Sequence, residues 1–289
     1  MSQIKALIMK EFRTQKNAIL MPFYIQGGIY LMMLLVFILA YFKGEADIQL
    51  LNTEIGKIST GIHNIYFWLA GAMLTVIPAF LTVITYTSVS VSTVNDDYKN
   101  KCVLFYSTMP VNFIKKILTK IGFVVSITSI SIIILSLINI GINAIIASFF
   151  IKIHLGYILL GFVQNFIIIF FSMLLIHSIC WFFAAIFKNK TTSYAILSYI
   201  VYKIIISLSA LIFGNNLMRY LNVVEKYIFN LVIPRFSINF DNLGYEPYAK
   251  DIIVTNWNNI FSSETIEKLV LSVVLFTIAA FIIQRREIE

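Results

Sequence analysis

IGFVVSITSISIIILSLINIGINAIIASFFI, residues 121–151, carries no charged side chain in 31 positions. A second run, Leu155 to Phe187, continues for 33 residues without Asp, Glu, Lys or Arg. As straight helices at about 1.5 Å per residue, each would reach roughly 45–50 Å, against a bilayer hydrocarbon core of about 30 Å. Such segments either tilt and protrude or break, and Asn139, Gly141 and Asn143 mark the expected irregular point in the first. Lys152 and His154 supply the polar turn between the two runs. Of the 289 residues, 59% are hydrophobic and 12% charged, about half the charge of a soluble domain. The expectation is an all-α, polytopic membrane protein.

Working outward gives six spans. Ala18 to Phe42 is the first, too long for a cleaved signal and expected to be retained. Pro22, Gln26, Gly27 and Gly28 lie in its early half, where small residues permit close helix approach and Pro with Gly-Gly permits a bend. The second runs from about Ile65 to Val89 and contains Pro78. The charge-free runs are the third and fourth, Thr191 to Gly214 the fifth and Ile266 to Ile283 the sixth. Lys43 to Asn64 and about 215–265 lie outside, the latter rich in aromatics. Periodic aliphatics predict amphipathic helices in both, from Ile48 to Ile62 and from Leu217 to Leu231.

The formal charge of +8 is placed unevenly. The segments before span one, between spans two and three, between four and five, and after six hold thirteen basic residues and five acids. The remainder balances to zero. Excess Lys and Arg on one side is the positive-inside pattern, so both termini are expected in the cytoplasm. That distribution favours a membrane over nucleic acid as the partner of the positive charge. Cys102 and Cys180 are too far apart in depth to pair, and no CxxC or metal-ligand spacing is present.

Residues 2–16 place Ile4, Leu7, Ile8 and Phe12 on one helical arc, with Lys5, Lys10, Arg13 and Lys16 opposite. Glu11 falls inside the apolar arc. Two readings stand: an amphipathic helix in the membrane interface, or a basic flank orienting the first span. Residues 95–120 form a polar island. Asn95-Asp96-Asp97 suits a helix start, since Asn caps free amides and carboxylates face the positive end of the dipole. Tyr98, Cys102 and Phe105 then share a face, and Pro110 can break that helix and begin another.

This island resembles the cytoplasmic loop of type 2 ABC transporter permeases. Asp96 and Asp97 match the acid that ends the second span, and Thr108-Met109-Pro110-Val111 matches a small-residue–Leu–Pro–Val turn. Lys120 lies ten residues after Pro110, as the pattern requires, whereas Asn112-Phe113 stands where Ser-Arg is usual. The Ile233-Pro234-Arg235-Phe236 turn and the Gln284-Arg285-Arg286-Glu287 tail extend the likeness over the whole chain. The resemblance implies an elbow helix over 1–17 and a membrane domain over 18–289, in the bacterial plasma membrane. It further implies a dimer of permease subunits driven by separate ABC ATPase subunits that carry ATP and Mg. Asp96, Asp97, Lys101 and Phe105 would couple to the ATPase, with Pro110 as the rigid turn. Cargo would be a peptide, lipid or hydrophobic compound.

No P-loop, HExxH or GxSxG motif occurs, so the chain is expected to bind no cofactor and to catalyse nothing itself. The spans are read as free of Asp and Glu, an expectation that weighs against an ion-coupled carrier and an intramembrane carboxylate enzyme. A non-transporting anchor or immunity protein is the other alternative. Gln164, Asn165 and His177 in the fourth span suit interhelical hydrogen bonds, or else line a conduit. Lys203 lies near the middle of the fifth, where it faces an anionic group of the cargo or bonds carbonyls in a dimer interface.

The charge placement yields a topology test. In a cysteine-free background, single cysteines at Ser2, Lys115 and Glu289 should react only with reagents on the cytoplasmic side. A cysteine at Glu246 should react only from outside. Outside labelling at position 115 would overturn the orientation.

Overall fold

Backbone amides in a bilayer find no water, so apolar runs of this length must satisfy them internally as helices. A computed structural model describes residues 3–43, 60–99, 112–148, 152–187, 201, 227 and 246–288, and these contain helices and turns but no strand. The helices are α1 (Gln3–Thr14), α2 (Lys16–Lys43), α3 (Thr60–Lys99), α4 (Phe113–Ser148), α5 (Leu155–Ile186), α6 (Glu246–Ile260) and α7 (Ser263–Ile288). Five stretches are long and apolar enough to cross a membrane: Lys16–Val36, Asn64–Asp96, Phe113–Ser148, Leu155–Ile186 and Ile253–Arg286. The architecture is that of a multi-pass helical membrane protein.

α5 is the central helix, packed along α3 on one side and α7 on another. Trp68 Nε1 donates to Gln164 Oε1 at 2.8 Å and Asn165 Nδ2 to Ala72 O at 2.5 Å, near the start of both α3 and α5. Val94 and Trp181 share a core cluster near their ends, so the two helices run in the same direction. Tyr86 meets Ser131 and Asn139 meets Leu74, which sets α4 antiparallel to α3. α6 caps the starting end: Gln164 Nε2 donates to Ile253 O at 3.0 Å, and Ile253 joins Ile65 and Trp68 in an apolar cluster.

Close approach of α3 and α5 depends on two glycines. A methyl group added at Gly71 would strike the backbone of Ile158, and one at Gly161 the backbone of Trp68 and Ala72. Backbone cannot swing aside as a side chain can. At Gly27 and Gly28, the glycines expected to permit such approach, a would-be Cβ meets nothing within 4 Å among the described residues.

A proline explains one polar bond between helices. Pro78 has no N–H for the carbonyl one turn back, that of Leu74. Asn139 Nδ2 donates to that oxygen from α4, at 3.1 Å. On α2, Tyr86 Oη donates to Ile19 O at 2.9 Å.

Two sequence expectations are corrected. α4 passes unbroken through Asn139, Gly141 and Asn143. Asn139 directs its amide to other helices, and Asn143 Nδ2 bonds Asn139 O one turn back at 2.8 Å, so neither opens its own helix. No helix begins at Asn95-Asp96-Asp97, because α3 continues through to Lys99. The reason is burial: Val94 is 4% and Asn95 1% exposed, and that face packs inward. The cap lies instead at Asn112, whose Oδ1 accepts from Ile114 N at 3.1 Å to open α4. Apart from Val201, the fifth span lies outside the described residues, as do Ile48, Leu217 and most of the outer segments.

Gly161→Ala or Gly71→Ala should therefore cost about 1–3 kcal/mol of stability through overpacking. Gly122→Ala, in open space on α4, should be neutral or stabilise by up to about 1 kcal/mol. Thermal unfolding in detergent distinguishes them. Equal midpoints for all three variants would contradict the backbone contact.

Candidate functional site at the basic end of the bundle

α1 meets α2 at a single residue, Gln15, whose N–H bonds Glu11 O at 3.0 Å and whose carbonyl accepts from Ile19 N at 2.9 Å. The exposed side of α1 carries Ile4, Ile8 and Phe12, each between 42% and 49% exposed. Glu11 is the reverse: a carboxylate on the apolar arc, at 2% exposure. A buried carboxylate is costly unless an opposite charge accompanies it.

That charge is Lys120. Its Nζ stands 3.7 Å from Glu11 Oε1, with the two side chains 6% and 3% exposed. The same ammonium donates to Thr93 O on α3. Lys10 Nζ, more exposed, lies 3.7 Å from the same carboxylate oxygen. One turn along α1, Gln15 Nε2 donates to Asp96 Oδ2 at 2.7 Å. Four side chains thus tie the first helix to the end of α3 and the start of α4. Beneath them Val94, Ile117, Trp181, Ala184, Ala185, Ala279 and Ile283 form an apolar cluster that joins α3, α4, α5 and α7. Arg286 Nη2 closes the same end by donating to Ile186 O at 2.7 Å.

The residues expected from sequence divide accordingly. Asp96 belongs to this junction, and Asp97 lies on the last turns of α3. Lys101, Phe105, Pro110 and Lys203 lie outside the described residues. Gln164 and Asn165 are each 1% exposed and bonded to α3 and α6. His177, 0% exposed, meets Thr128 Oγ1 through Nε2 at 3.1 Å. It lies about 18 Å further along α5 than Asn165, so the three do not converge.

Three buried charged residues were given no pairing in the sequence reading. Glu11 stood out only as a charge among apolar neighbours, and Lys120 likewise sits between Ile117 and Val124 on the buried face of α4. Their shared signal was a charge on an apolar arc. The third is Lys268, 5% exposed on α7, with Nζ donating to Ser172 Oγ at 3.2 Å. Glu267 and Lys268 both fall inside the sixth span as bounded above, so an acid-free membrane region does not hold there. The Tyr227 hydroxyl donates to Glu267, and that bond together with the carboxylate's charge raises the Tyr227 pKa.

Among the described residues no group of three or more His, Cys, Asp or Glu is placed to hold a metal. The junction is mechanical in character: it fixes three chain segments to one another at the end where basic residues collect. No protein-family model, curated protein or solved structure matches the chain.

The ion pair makes a quantitative forecast. Lys120→Met leaves the Glu11 carboxylate without its nearest enclosed countercharge and should cost about 3–5 kcal/mol. Combining it with Glu11→Gln should recover much of that loss. Unfolding midpoints for both single variants and the double variant provide the test. Additive losses would contradict the pairing.

Proposed function

We propose that this chain is the membrane-spanning subunit of an ATP-driven exporter of the type 2 ABC permease kind. In this reading it has six spans, an interfacial elbow helix, cytoplasmic termini and a place in the plasma membrane of a bacterium. Two copies, or this chain and a related one, enclose the path, and separate ATPase subunits bind ATP and Mg. The cargo is a peptide, lipid or hydrophobic compound.

The observation that carries this reading is the junction of Glu11, Gln15, Asp96 and Lys120. Residues 100–111 join two helices, α3 and α4, that are fastened to each other and to α1 at that end. A partner pressing on the segment would therefore move two long helices together with the segment that precedes α2. A partner shifts such an equilibrium only through contacts that differ between its two states. Asp97, Lys101, Phe105 and Pro110 are the proposed contacts, since they lie on or beside that segment.

Of the four polar residues considered for the conduit, Gln164, Asn165 and His177 bond to neighbouring helices. Lys203 remains the candidate to meet an anionic group of the cargo. The rival reading, a non-transporting anchor or immunity protein, predicts no dependence on nucleotide.

The reading requires a neighbouring reading frame to encode a P-loop ATPase, and reconstitution with that protein tests the proposal. ATP hydrolysis should rise when the chain is present, and Phe105→Asp should abolish that rise while leaving the chain folded. An ATPase that neither co-purifies with the chain nor responds to it would contradict the reading. Unaltered stimulation by the variant would remove Phe105 from the contact.

A further inference from the structure

Most helical serines and threonines in this bundle turn their hydroxyls back to a carbonyl of the preceding turn. Thr82, Thr85, Ser92 and Thr93 do so on α3, Thr128 and Ser129 on α4, and Ser178 on α5. Ser90 does not. It is 0% exposed, and its hydroxyl has no hydrogen-bond partner among the described residues. His177 Nδ1 and Trp181 Nε1, on residues equally enclosed, share that condition.

These three groups belong to one place. His177 and Trp181 are one turn apart on the same face of α5, as Ser90 and Val94 are on α3. Val94 packs in one cluster with Trp181. Because α3 and α5 run in the same direction, Ser90 stands at the level of His177 across the seam. α4 closes that level through Thr128.

Their chemistry is complementary to a single kind of guest. Thr128 Oγ1 gives its own proton to Val124 O at 2.7 Å, so its contact with His177 Nε2 requires the ring to donate. That network assigns the Nε2–H tautomer of the neutral ring and leaves Nδ1 an acceptor. The Trp181 indole can only donate, and the Ser90 hydroxyl can do either. A cation would be repelled by the indole N–H, and an anion by the Nδ1 lone pair. Enclosed polar groups left unpaired are rare in folded proteins and call for an explanation.

We infer that ordered water occupies the α3–α5 seam between Ser90, His177 and Trp181. It accepts from Trp181 Nε1–H, donates to His177 Nδ1 and exchanges a bond with Ser90. Three partners is about the usual number for a buried water. This site does not depend on the transport reading.

X-ray hydroxyl-radical footprinting of the whole chain in lipid nanodiscs tests it, because radicals formed from bound water oxidise adjacent side chains however deeply they lie. Trp68 is the internal control. It is 2% exposed, but its indole N–H bonds directly to Gln164. Trp181 should oxidise several-fold faster than Trp68, and Ser90→Val should lower its rate toward that of Trp68. Equal rates for the two tryptophans in the unmodified protein would overturn the site, whether or not the variant folds. A fast Trp181 in folded Ser90→Val would overturn the placement beside Ser90.

Discussion

A carboxylate enclosed to 2% exposure has to be neutralised, and in this chain the partner comes from far along the sequence. Glu11 lies ahead of α2, whereas Lys120 opens α4. Their attraction fixes the position of α1, and through Thr93 it fixes the end of α3 as well. Gln15 and Asp96 add a second tie one turn away. Much of the rest of α1 faces outward, with Ile4, Ile8, Met9 and Phe12 all exposed.

The α3–α5 seam is built differently at its two ends. At the starting end, Gly71 and Gly161 bring backbone against backbone, and Trp68, Gln164 and Asn165 bond directly across the interface. Such contacts tolerate little displacement. Toward the basic end the seam holds Ser90, His177 and Trp181, whose polar groups find no partner among the described residues and are where the inferred water would sit.

Much of this was legible in the sequence, and the reasons it stopped are physical. Helices and their approximate extents follow from apolar length alone, and the turn at Lys152 and His154 from its isolated polarity. Interhelical bonding by Gln164 and Asn165 follows from the cost of an unpaired amide in an apolar run. Partner identity does not follow. Asn139 could be read as a helix breaker because nothing in the sequence says that Pro78, on another helix, leaves Leu74 O open to it. Asn95-Asp96-Asp97 reads locally as a start, yet tertiary burial of Val94 and Asn95 carries the helix through. Glu11 and Lys120 are each odd on their own helix and make sense only together.

If the chain works with an ATPase as proposed, α1, α3 and α4 should move as one body at the basic end during its cycle. A short bifunctional thiol cross-linker between Gln15→Cys and Asp96→Cys, in the complex with its ATPase, examines this directly. Nucleotide-stimulated hydrolysis and transport should survive the cross-link, because the clamped positions are already joined and travel together. Loss of both on cross-linking, with recovery when the linker is cleaved, would show that α1 and α3 must separate. That result would contradict the account.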